Sequence, residues 1–268
     1  MEYICVASPK SGEEFSEDAH LVVPSRGEMP FLAVVIDTHH RGTHNRAQAH
    51  RVAKVLVDGF REGFGSGRSD KMIAGLDVAD RLLLYDHPDF GAVVTGVEIF
   101  GDVMRVAQLG DTCMYASAWN ERGFELLTTP HTAGDVSELR RMEPFLASGY
   151  FQVRVEVTDG VVHHRLYRKS WFGWKRCGII PTRALGDKLF RPALTPDPEV
   201  FELDLTKMAP RTLYVLCSDG AQRAVERVFA RVRGRASMIS LKEVSAIAQQ
   251  GLSFHHDDDA TMIFFRCT

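Results

Sequence analysis

The sequence predicts an α+β fold, a layered α/β/β/α sandwich in which two mostly antiparallel sheets are flanked by helix pairs. Short apolar runs typical of strands fall into two clusters along the chain. Amphipathic segments typical of helices come in pairs, between and after those clusters. Strands and helices grouped in blocks favour this arrangement over a doubly wound parallel sheet, in which the two would alternate.

The first strand and the first helix pair have the clearest signals. Phe31 to Ile36 is a continuous apolar run that ends at Asp37, which predicts a strand buried on both faces. Apolar residues then recur at helical spacing from Ala49 to Phe60. We predict a second helix from Met72 to Leu84.

Strands and then an irregular segment occupy the middle of the chain. We predict strands at 93–100, 103–109 and 114–118, the first two joined by a turn at Gly101-Asp102. We predict that residues 144–180 form a projecting flap, with a hairpin turn at Asp159-Gly160. An aromatic cluster at Trp171, Phe172 and Trp174 is flanked by basic residues, and we interpret it either as a docking surface for a substrate or as packing of the flap onto its own domain.

The last third of the chain predicts the second sheet and its helices. Leu213 to Cys217 is typical of a buried strand, and an amphipathic helix follows Gly220. Ser240 with Glu243 has the form of a capping box that opens a helix to about Gln250. Thr261 to Phe265 predicts a closing strand.

Length and composition limit the possible functions. The 268 residues lack a linker or repeat and predict one domain over residues 1–268. A formal net charge of −3 argues against nucleic acid as a partner, and no apolar stretch is long enough to predict a membrane span. Five widely spaced cysteines form neither a disulfide framework nor a zinc motif. We therefore expect a cytoplasmic protein, and we expect it to be a monomer.

Acidic residues collect where the predicted strands end or begin, at Asp37, at Asp219 and in the run 257–259. Any one of them is more often a turn or helix-capping residue. Together, however, several carboxylates can hold a pair of hard divalent cations such as Mg²⁺ or Mn²⁺, which prefer oxygen ligands and can activate water near a phosphate.

Seven segments in order resemble motifs of the metal-dependent serine/threonine phosphatases of the PPM (type 2C) family, and the resemblance extends over most of the chain. They are Glu17-Asp18-Ala19, Asp37-Thr38-His39, Gly91 with Leu109-Gly110-Asp111-Thr112, Leu127-Thr128-Thr129-Pro130-His131 with Glu138 to Met142, Thr182-Arg183-Ala184-Leu185-Gly186-Asp187, Ser218-Asp219-Gly220 and Asp258-Asp259-Ala260-Thr261.

This resemblance implies a catalytic site with two Mn²⁺ or Mg²⁺ ions. Asp37 would bridge the two ions. Glu17 and the backbone carbonyl of Thr38 would complete the coordination of one ion, and Asp219 and Asp258 would complete that of the other. Water held between the ions would attack phosphorus in line, without a phospho-enzyme.

Three further roles follow from the same resemblance. His39 occupies the position of a general acid that protonates the leaving oxygen, a task suited to imidazole. Asp18 would orient a metal-bound water. Asp111 would contribute, with Asp219, to a third and weaker metal site. Arg223, in place of the usual carboxylate, would weaken or abolish that site, and a pairing of Arg223 with Asp111 is one way in which it would do so.

The chain departs from the family pattern at the expected phosphate-binding arginine, where it has Glu13. Lys10 and Arg41 are the candidates to replace that arginine. Thr38 replaces a glycine of the family motif, and threonine would be strained if the backbone there needs a glycine-only conformation.

The predicted function is hydrolysis of phosphoserine or phosphothreonine in protein substrates. Two alternatives stay open: a catalytically weak or inactive relative that binds phosphoproteins or partner proteins, and a hydrolase of small phosphorylated metabolites. The sequence does not identify the substrate or a partner kinase.

Overall fold

The computed structural model describes residues 1–27, 29–40, 46–117, 123–158, 161–170, 173–174, 178–252 and 258–267. The helices are α1 (Arg46–Gly65), α2 (Lys71–Asp86), α3 (Val136–Ala147), α4 (Gln222–Val232) and α5 (Leu241–Leu252). The strands are β1 (Glu2–Ser8), β2 (Asp18–Val23), β3 (Phe31–His40), β4 (Phe90–Phe100), β5 (Val103–Leu109), β6 (Cys113–Ser117), β7 (Phe124–Leu126), β8 (Phe151–Thr158), β9 (Val161–Ser170), β10 (Gly173–Trp174), β11 (Leu185–Gly186), β12 (Glu199–Asp204), β13 (Tyr214–Cys217) and β14 (Ala260–Arg266).

Two antiparallel sheets form the centre of the fold. One has the order β1-β14-β13-β6-β7, and the other has the order β12-β5-β4-β3-β2, with β11 added against β4. Within both sheets, the strand pairs among the described residues are antiparallel. The predicted fold class is therefore confirmed.

The central strand β3 shows why a continuous apolar run is needed. Ala33 and Val35 point into the core between the two sheets, where they join residues of β13 and β14 such as Leu216 and Ile263. Val34, on the alternate face, packs against α1 and α2. Because side chains alternate along a strand, both faces of β3 must be apolar to be buried.

The second sheet is covered in the same way by α4 and α5. Val225 and Val228 of α4 and Val244 of α5 pack on Val215 of β13. The capping box at the start of α5 is confirmed, because the Ser240 amide and hydroxyl both donate to the Glu243 carboxylate and the Glu243 amide donates back to the Ser240 hydroxyl at 3.2 Å.

The segment predicted as a flap contains a separate sheet with the order β10-β9-β8. Its base is buried, since Phe151, Leu166 and Ile179 share an apolar cluster with Met142 of α3. Its far end is exposed, including Val157 at 67%. The predicted hairpin turn at 159–160 and the aromatic residues 171–172 lie outside the described residues, as does the side chain of residue 174.

Several boundaries and edge strands differ from the sequence prediction. The second helix extends to Lys71 and Asp86, and β4 begins at Phe90. The strands β1, β2, β7 and β12 are absent from the prediction. The pattern of β12 explains the omission, because it is an edge strand whose side chains are exposed or half-buried and carry no continuous apolar run.

Candidate active site

Strand geometry brings acidic residues from distant parts of the chain together. Asp18 at the start of β2 lies directly opposite Asp37 of β3. Asp219 follows β13, and Asp258 precedes β14, its antiparallel neighbour. Because the end of one antiparallel strand lies beside the start of the next, these two carboxylates fall at the same edge of their sheet.

Asp111 reaches the same place through a tight turn after β5. Gly110, the residue before it, has a φ of +94° and lies close to the Val93 side chain and the Arg183 carbonyl. A side chain at this position would be strained and would overlap Val93, so glycine is required. The turn directs Asp111 toward the space between the two sheets' edges.

These residues surround a cavity of about 310 Å³. We call its acidic lining residues, Glu17, Asp37, Asp111, Asp219 and Asp258, the acidic floor. Residues of the flap segment and of the chain after it form the wall. The lining residues are Glu17, Asp37, Thr38, His39, His40, Val93, Asp111, Arg165, Gly178, Ile179, Ile180, Pro181, Asp219 and Asp258.

The carboxylates of the floor destabilise one another's charge. Burial raises the pKa of Asp37 well above its ordinary value, and the neighbouring Asp18, Asp219 and Asp111 raise it further. Burial and Asp219 raise the pKa of Asp111 to about 7. Burial also raises the pKa of Asp18 to about 8, against an opposing hydrogen bond with Ser218. Among the described residues, the positive charge near the floor is therefore too small to match its carboxylates.

The chemistry of this donor set fits hard divalent cations. Buried carboxylates in mutual repulsion are stabilised when a cation neutralises them, and Mg²⁺ and Mn²⁺ prefer such oxygen ligands. The Asp18 Oδ2 atom is buried and has no hydrogen-bond partner among the described residues, as expected of a group that would contact a water or an ion. Within the described part of the chain, no three His, Cys, Asp or Glu side chains already stand at metal-ligand geometry. The fit is therefore one of ligand type and charge.

A buried aspartate next to the floor organises the segment that carries Glu17. The Asp259 carboxylate accepts hydrogen bonds from the backbone amides of Lys10 at 2.6 Å and Glu17 at 2.7 Å, and it pairs with Arg46. Arg46 also lies 3.4 Å from the Glu17 carboxylate and 3.7 Å from that of Glu13. Arg46, at the start of α1, thus holds two acidic residues of the β1–β2 connection, Glu13 and Glu17.

His39 is held by a second buried aspartate. Its Nε2 atom lies 2.6 Å from Oδ2 of Asp187, which is fully buried and has a φ of +48°. Gly91 faces this pair across the β3–β4 ladder, and a Cβ there would overlap both the carboxylate and the imidazole ring. The glycine therefore leaves the room that the His39–Asp187 contact needs.

The loop that carries Asp187 is anchored to α2. Asp80 of α2 accepts hydrogen bonds from the Gly186 amide at 2.8 Å and from Arg191 at 2.6 Å. Arg191 in turn donates to the Gly186 carbonyl at 3.1 Å. This network fixes the backbone immediately before Asp187, and so supports the orientation of His39.

Comparison with known proteins gives the family. The sequence profile described as protein phosphatase 2C matches residues 13–223, more than half of the chain. The chain belongs to the protein phosphatase 2C family. No curated protein matches it significantly.

Solved structures share the phosphatase 2C fold at low sequence identity. A C. elegans sex-determining protein has a TM-score of 0.70 and 19% identity over 99% of this chain, which spans 64% of that protein. A serine-threonine phosphatase 2C from Toxoplasma gondii has a TM-score of 0.63 and 18% identity, over 99% of both chains. The Mycobacterium tuberculosis serine/threonine phosphatase PstP/Ppp has a TM-score of 0.59 and 14% identity, over 98% of this chain and 97% of that one.

The predicted site residues of this phosphatase 2C chain fall largely in one place. The cavity is lined by Glu17, Asp37, Thr38, His39, Asp111, Asp219 and Asp258. Asp18 lies next to them, opposite Asp37. Their roles as ligands or catalytic groups stay predictions.

Of the two candidates for phosphate binding, Lys10 is described and is absent from the described lining of the cavity. The backbone amide of Lys10 donates to the Asp259 carboxylate, and burial raises the pKa of Asp258 despite the opposing charge of Lys10, so Lys10 lies beside the floor but outside the described lining. Arg41 lies outside the described residues. The lining instead contains Arg165, which the sequence interpretation did not identify, because a basic residue of a flap strand carries no motif.

Two other expectations are settled by the backbone and by the ion pairs. Thr38 lies in the extended strand β3, and the only non-glycine residues with positive φ in the described chain are Asp187 and Arg211, so threonine is not strained there. Arg223 is exposed on α4, and no ion pair joins it to Asp111 among the residues that the structure describes. The effect of Arg223 on a third metal site stays a prediction.

The described cysteines Cys5, Cys113, Cys217 and Cys267 are free, as the sequence predicts. Among the helices of the described chain, none has the length and apolar character needed to cross a membrane.

Proposed function

We propose that this chain is a metal-dependent protein serine/threonine phosphatase with two Mn²⁺ or Mg²⁺ ions as cofactors. The observation that carries the proposal is the convergence of five carboxylates, from segments up to 241 positions apart, on one cavity of a phosphatase 2C chain. A cluster of partly buried carboxylates without matching positive charge is costly in a protein that only binds partners. The catalytic domain of PstP, which shares the fold at 13% identity and a TM-score of 0.56, is known in complex with two manganese ions.

In this proposal the ions are held by oxygen ligands of the cavity floor. Asp37 would contact both ions, Glu17 and the Thr38 carbonyl one of them, and Asp219 and Asp258 the other. Asp18 would orient a water through Oδ2, which has no partner in the described part of the chain, and Asp111 is the candidate for a third site. When bound, the ions would lower the pKa of a coordinated water and neutralise phosphate charge.

His39 supplies the proton that the leaving group needs. As a water oxygen forms its bond to phosphorus, the bond to the serine or threonine oxygen breaks, and that oxygen must be protonated. The Asp187 carboxylate accepts a hydrogen bond from His39 Nε2, and Nδ1 is the ring atom that we assign to proton transfer. Because both ring nitrogens carry a proton only in the imidazolium, His39 acts from that form, gives up the Nδ1 proton and is left as the neutral Nε2–H tautomer that Asp187 holds.

The test combines metal binding with turnover. Calorimetric titration with MnCl₂ should show binding by wild type and much weaker binding by Asp219→Asn, while Asp58→Asn on the exposed surface of α1 should behave as wild type. Hydrolysis of p-nitrophenyl phosphate and of a phosphothreonine peptide should require Mn²⁺ or Mg²⁺ and should be lost in EDTA. Metal binding by wild type at 100 times its Kd should stabilise the fold by about 2.7 kcal/mol.

A specific observation favours a second candidate, an inactive relative that binds phosphoproteins or partner proteins. Glu13 and Glu17 both pair with Arg46, which adds an acidic residue beside the proposed phosphate site and offers the ligand Glu17 an internal cation. If wild type binds Mn²⁺ and a phosphothreonine peptide without turning the peptide over, this second candidate replaces the enzyme. Turnover of small phosphorylated metabolites but not of peptides would instead favour a metabolite hydrolase.

Phosphoproteins are the substrates that we propose, and we further propose that the protein acts as a cytoplasmic monomer without nucleic-acid or membrane partners. The lining of the cavity supports a phosphorylated side chain as ligand, because it joins five carboxylates, which suit metal ions, with Arg165 of the flap, which suits a phosphate group. A panel of phosphoserine and phosphothreonine peptides against phosphorylated metabolites tests the substrate class, and light scattering tests the monomer.

A further inference from the structure

We propose that Arg165, on strand β9 of the flap, binds the phosphate group of the substrate. This inference rests on the proposed function. The cavity floor presents the carboxylates of Glu17, Asp37, Asp111, Asp219 and Asp258, and a phosphomonoester that approaches it carries negative charge of its own. Arg165 is the one lysine or arginine among the described lining residues, so it is the side chain whose charge matches the ligand.

The hydrogen bonds of Arg165 leave part of its guanidinium available. Its Nε atom lies 3.2 Å from a carboxylate oxygen of Glu156, and its Nη1 atom donates to the Gly178 carbonyl at 3.2 Å. Nη2 makes no hydrogen bond or ion pair within the residues that the structure describes. A guanidinium carries five N–H donors in a planar fork suited to phosphate oxygens, so Nη2 and the second N–H of Nη1 can bind a ligand.

Neighbouring side chains hold the guanidinium in place. Glu156 accepts a hydrogen bond from the Tyr167 hydroxyl and forms an ion pair with Arg165. The Tyr167 ring is covered by the guanidinium of Arg154, 4.8 Å from the ring centroid, and Arg154 lies directly opposite Arg165 in the β8–β9 pair. Glu156, Tyr167 and Arg154 thus form one brace on the face of the flap sheet that carries Arg165.

The chain after the flap completes the wall around Arg165. Ile179 forms two backbone hydrogen bonds with Leu166, the next residue of β9, at 2.8 and 3.0 Å. Gly178 lies so close to the Tyr167 ring and to the Cβ of Arg165 that a larger residue would displace them. Arg165 is 30% exposed, which is enough for contact with a ligand that enters the cavity.

The phosphate would therefore be bound between the acidic floor with its cations and Arg165 in the wall. Glu13, which pairs with Arg46, has the wrong charge for this task. A hydrogen bond from a charged donor to a phosphate oxygen is strong enough that its loss weakens binding by about 10- to 100-fold.

The experiment measures the binding of inorganic phosphate in the presence of Mn²⁺ by calorimetry, with Arg165→Ala, Arg165→Lys and Arg168→Ala. Arg168 lies on the same strand but on the opposite face, so it is a matched control. We expect Arg165→Ala to weaken phosphate binding by about 10- to 100-fold, Arg165→Lys to retain part of the affinity, and Arg168→Ala to match wild type. The affinity for Mn²⁺ and the melting temperature should be unchanged in Arg165→Lys.

Kinetics with a phosphothreonine peptide give a second result. Arg165→Ala should raise KM at least as much as it weakens phosphate binding. If Arg165→Ala binds phosphate as tightly as wild type, or if Mn²⁺-loaded wild type binds no phosphate, the proposal is overturned. Wild type that binds phosphate through Arg165 but does not turn over refutes the enzyme and leaves this inference supported.

Discussion

Glu138 of α3 is fully buried and joins α3 to the segment that leads to Asp187. Its carboxylate accepts hydrogen bonds from Arg141 at 2.8 and 3.0 Å, from Arg183 at 2.8 Å and from the Thr182 hydroxyl at 2.8 Å. Burial alone would raise the pKa of Glu138, but the hydrogen bonds from Arg183, Arg141 and Thr182 outweigh it and lower the pKa below its ordinary value. Its charge is therefore integral to the folded state.

Replacing Glu138 with alanine should lower the free energy of unfolding by about 3 kcal/mol. Removing one partner of a buried ion pair costs about 3–5 kcal/mol. The lower end applies here because Arg141 and Arg183 are 26% and 20% exposed and can regain water. For 268 residues, an unfolding entropy of about 2.1 cal/mol/K per residue gives about 0.56 kcal/mol/K, so the melting temperature should fall by about 5 °C.

The assay is thermal unfolding followed by circular dichroism in EDTA, so that metal binding cannot mask the change. Glu143→Ala, at an exposed position of the same helix, is the control and should shift the melting temperature by less than about 1 °C. Glu138→Gln keeps a carbonyl acceptor but loses the charge, so it should lie between the two. A shift for Glu138→Ala no larger than that of Glu143→Ala would refute the reasoning, because it would mean that the clamp contributes nothing net to stability.

Three more predictions follow from the site and its surroundings. Gly91→Ala should lower kcat on a phosphothreonine peptide at least about 10-fold, because the added Cβ would separate His39 from Asp187. Gly65→Ala is the control, since the space around Gly65 is open. A Gly91→Ala variant with the activity of wild type would contradict the role of the His39–Asp187 pair. Asp187→Asn should reduce hydrolysis of the phosphothreonine peptide by about 100-fold. Hydrolysis of p-nitrophenyl phosphate should fall much less, because p-nitrophenolate leaves without protonation. Equal losses on the two substrates would argue against proton transfer by His39. Burial, and then the charge of Arg183, lowers the pKa of His131, so the folded state binds this proton less readily than the unfolded state. The free energy of unfolding should therefore fall as the pH drops below about 6.5, by at most about 1.4 kcal/mol per pH unit. Urea unfolding at pH 7.5 and 5.5 should show a smaller decrease for His131→Gln than for wild type, and an equal decrease would assign the acid sensitivity to other groups.

The supports of the site connect these predictions. Glu138 holds Thr182 and Arg183, Asp80 holds the Gly186 amide, and the chain between them ends at Asp187 beside His39. A change in α3 or α2 should therefore affect the orientation of His39 without any contact with the substrate. Loss of kcat in Glu138→Ala beyond what the unfolded fraction explains would be the sign of such an effect.

The sequence by itself determined the layers of this fold and most of the acidic floor. Continuous apolar runs such as Phe31 to Ile36 fix strands that are buried on both faces, and local signals such as Ser240 with Glu243 fix helix ends, because both depend on residues close together in the chain. The order of short motifs was sufficient to select Asp37, Asp219 and Asp258, which line one cavity.

Only the tertiary structure decided which side chains support those residues. Asp259 bonds to the Glu17 amide across 242 positions, and Asp187 reaches His39 across 148. Arg165 arrives at the cavity from the flap sheet, whose strands have no motif that relates them to the acidic floor. Such contacts depend on how sheets and loops pack, and a periodic pattern records only whether a residue is buried, not which residue from elsewhere in the chain lies against it.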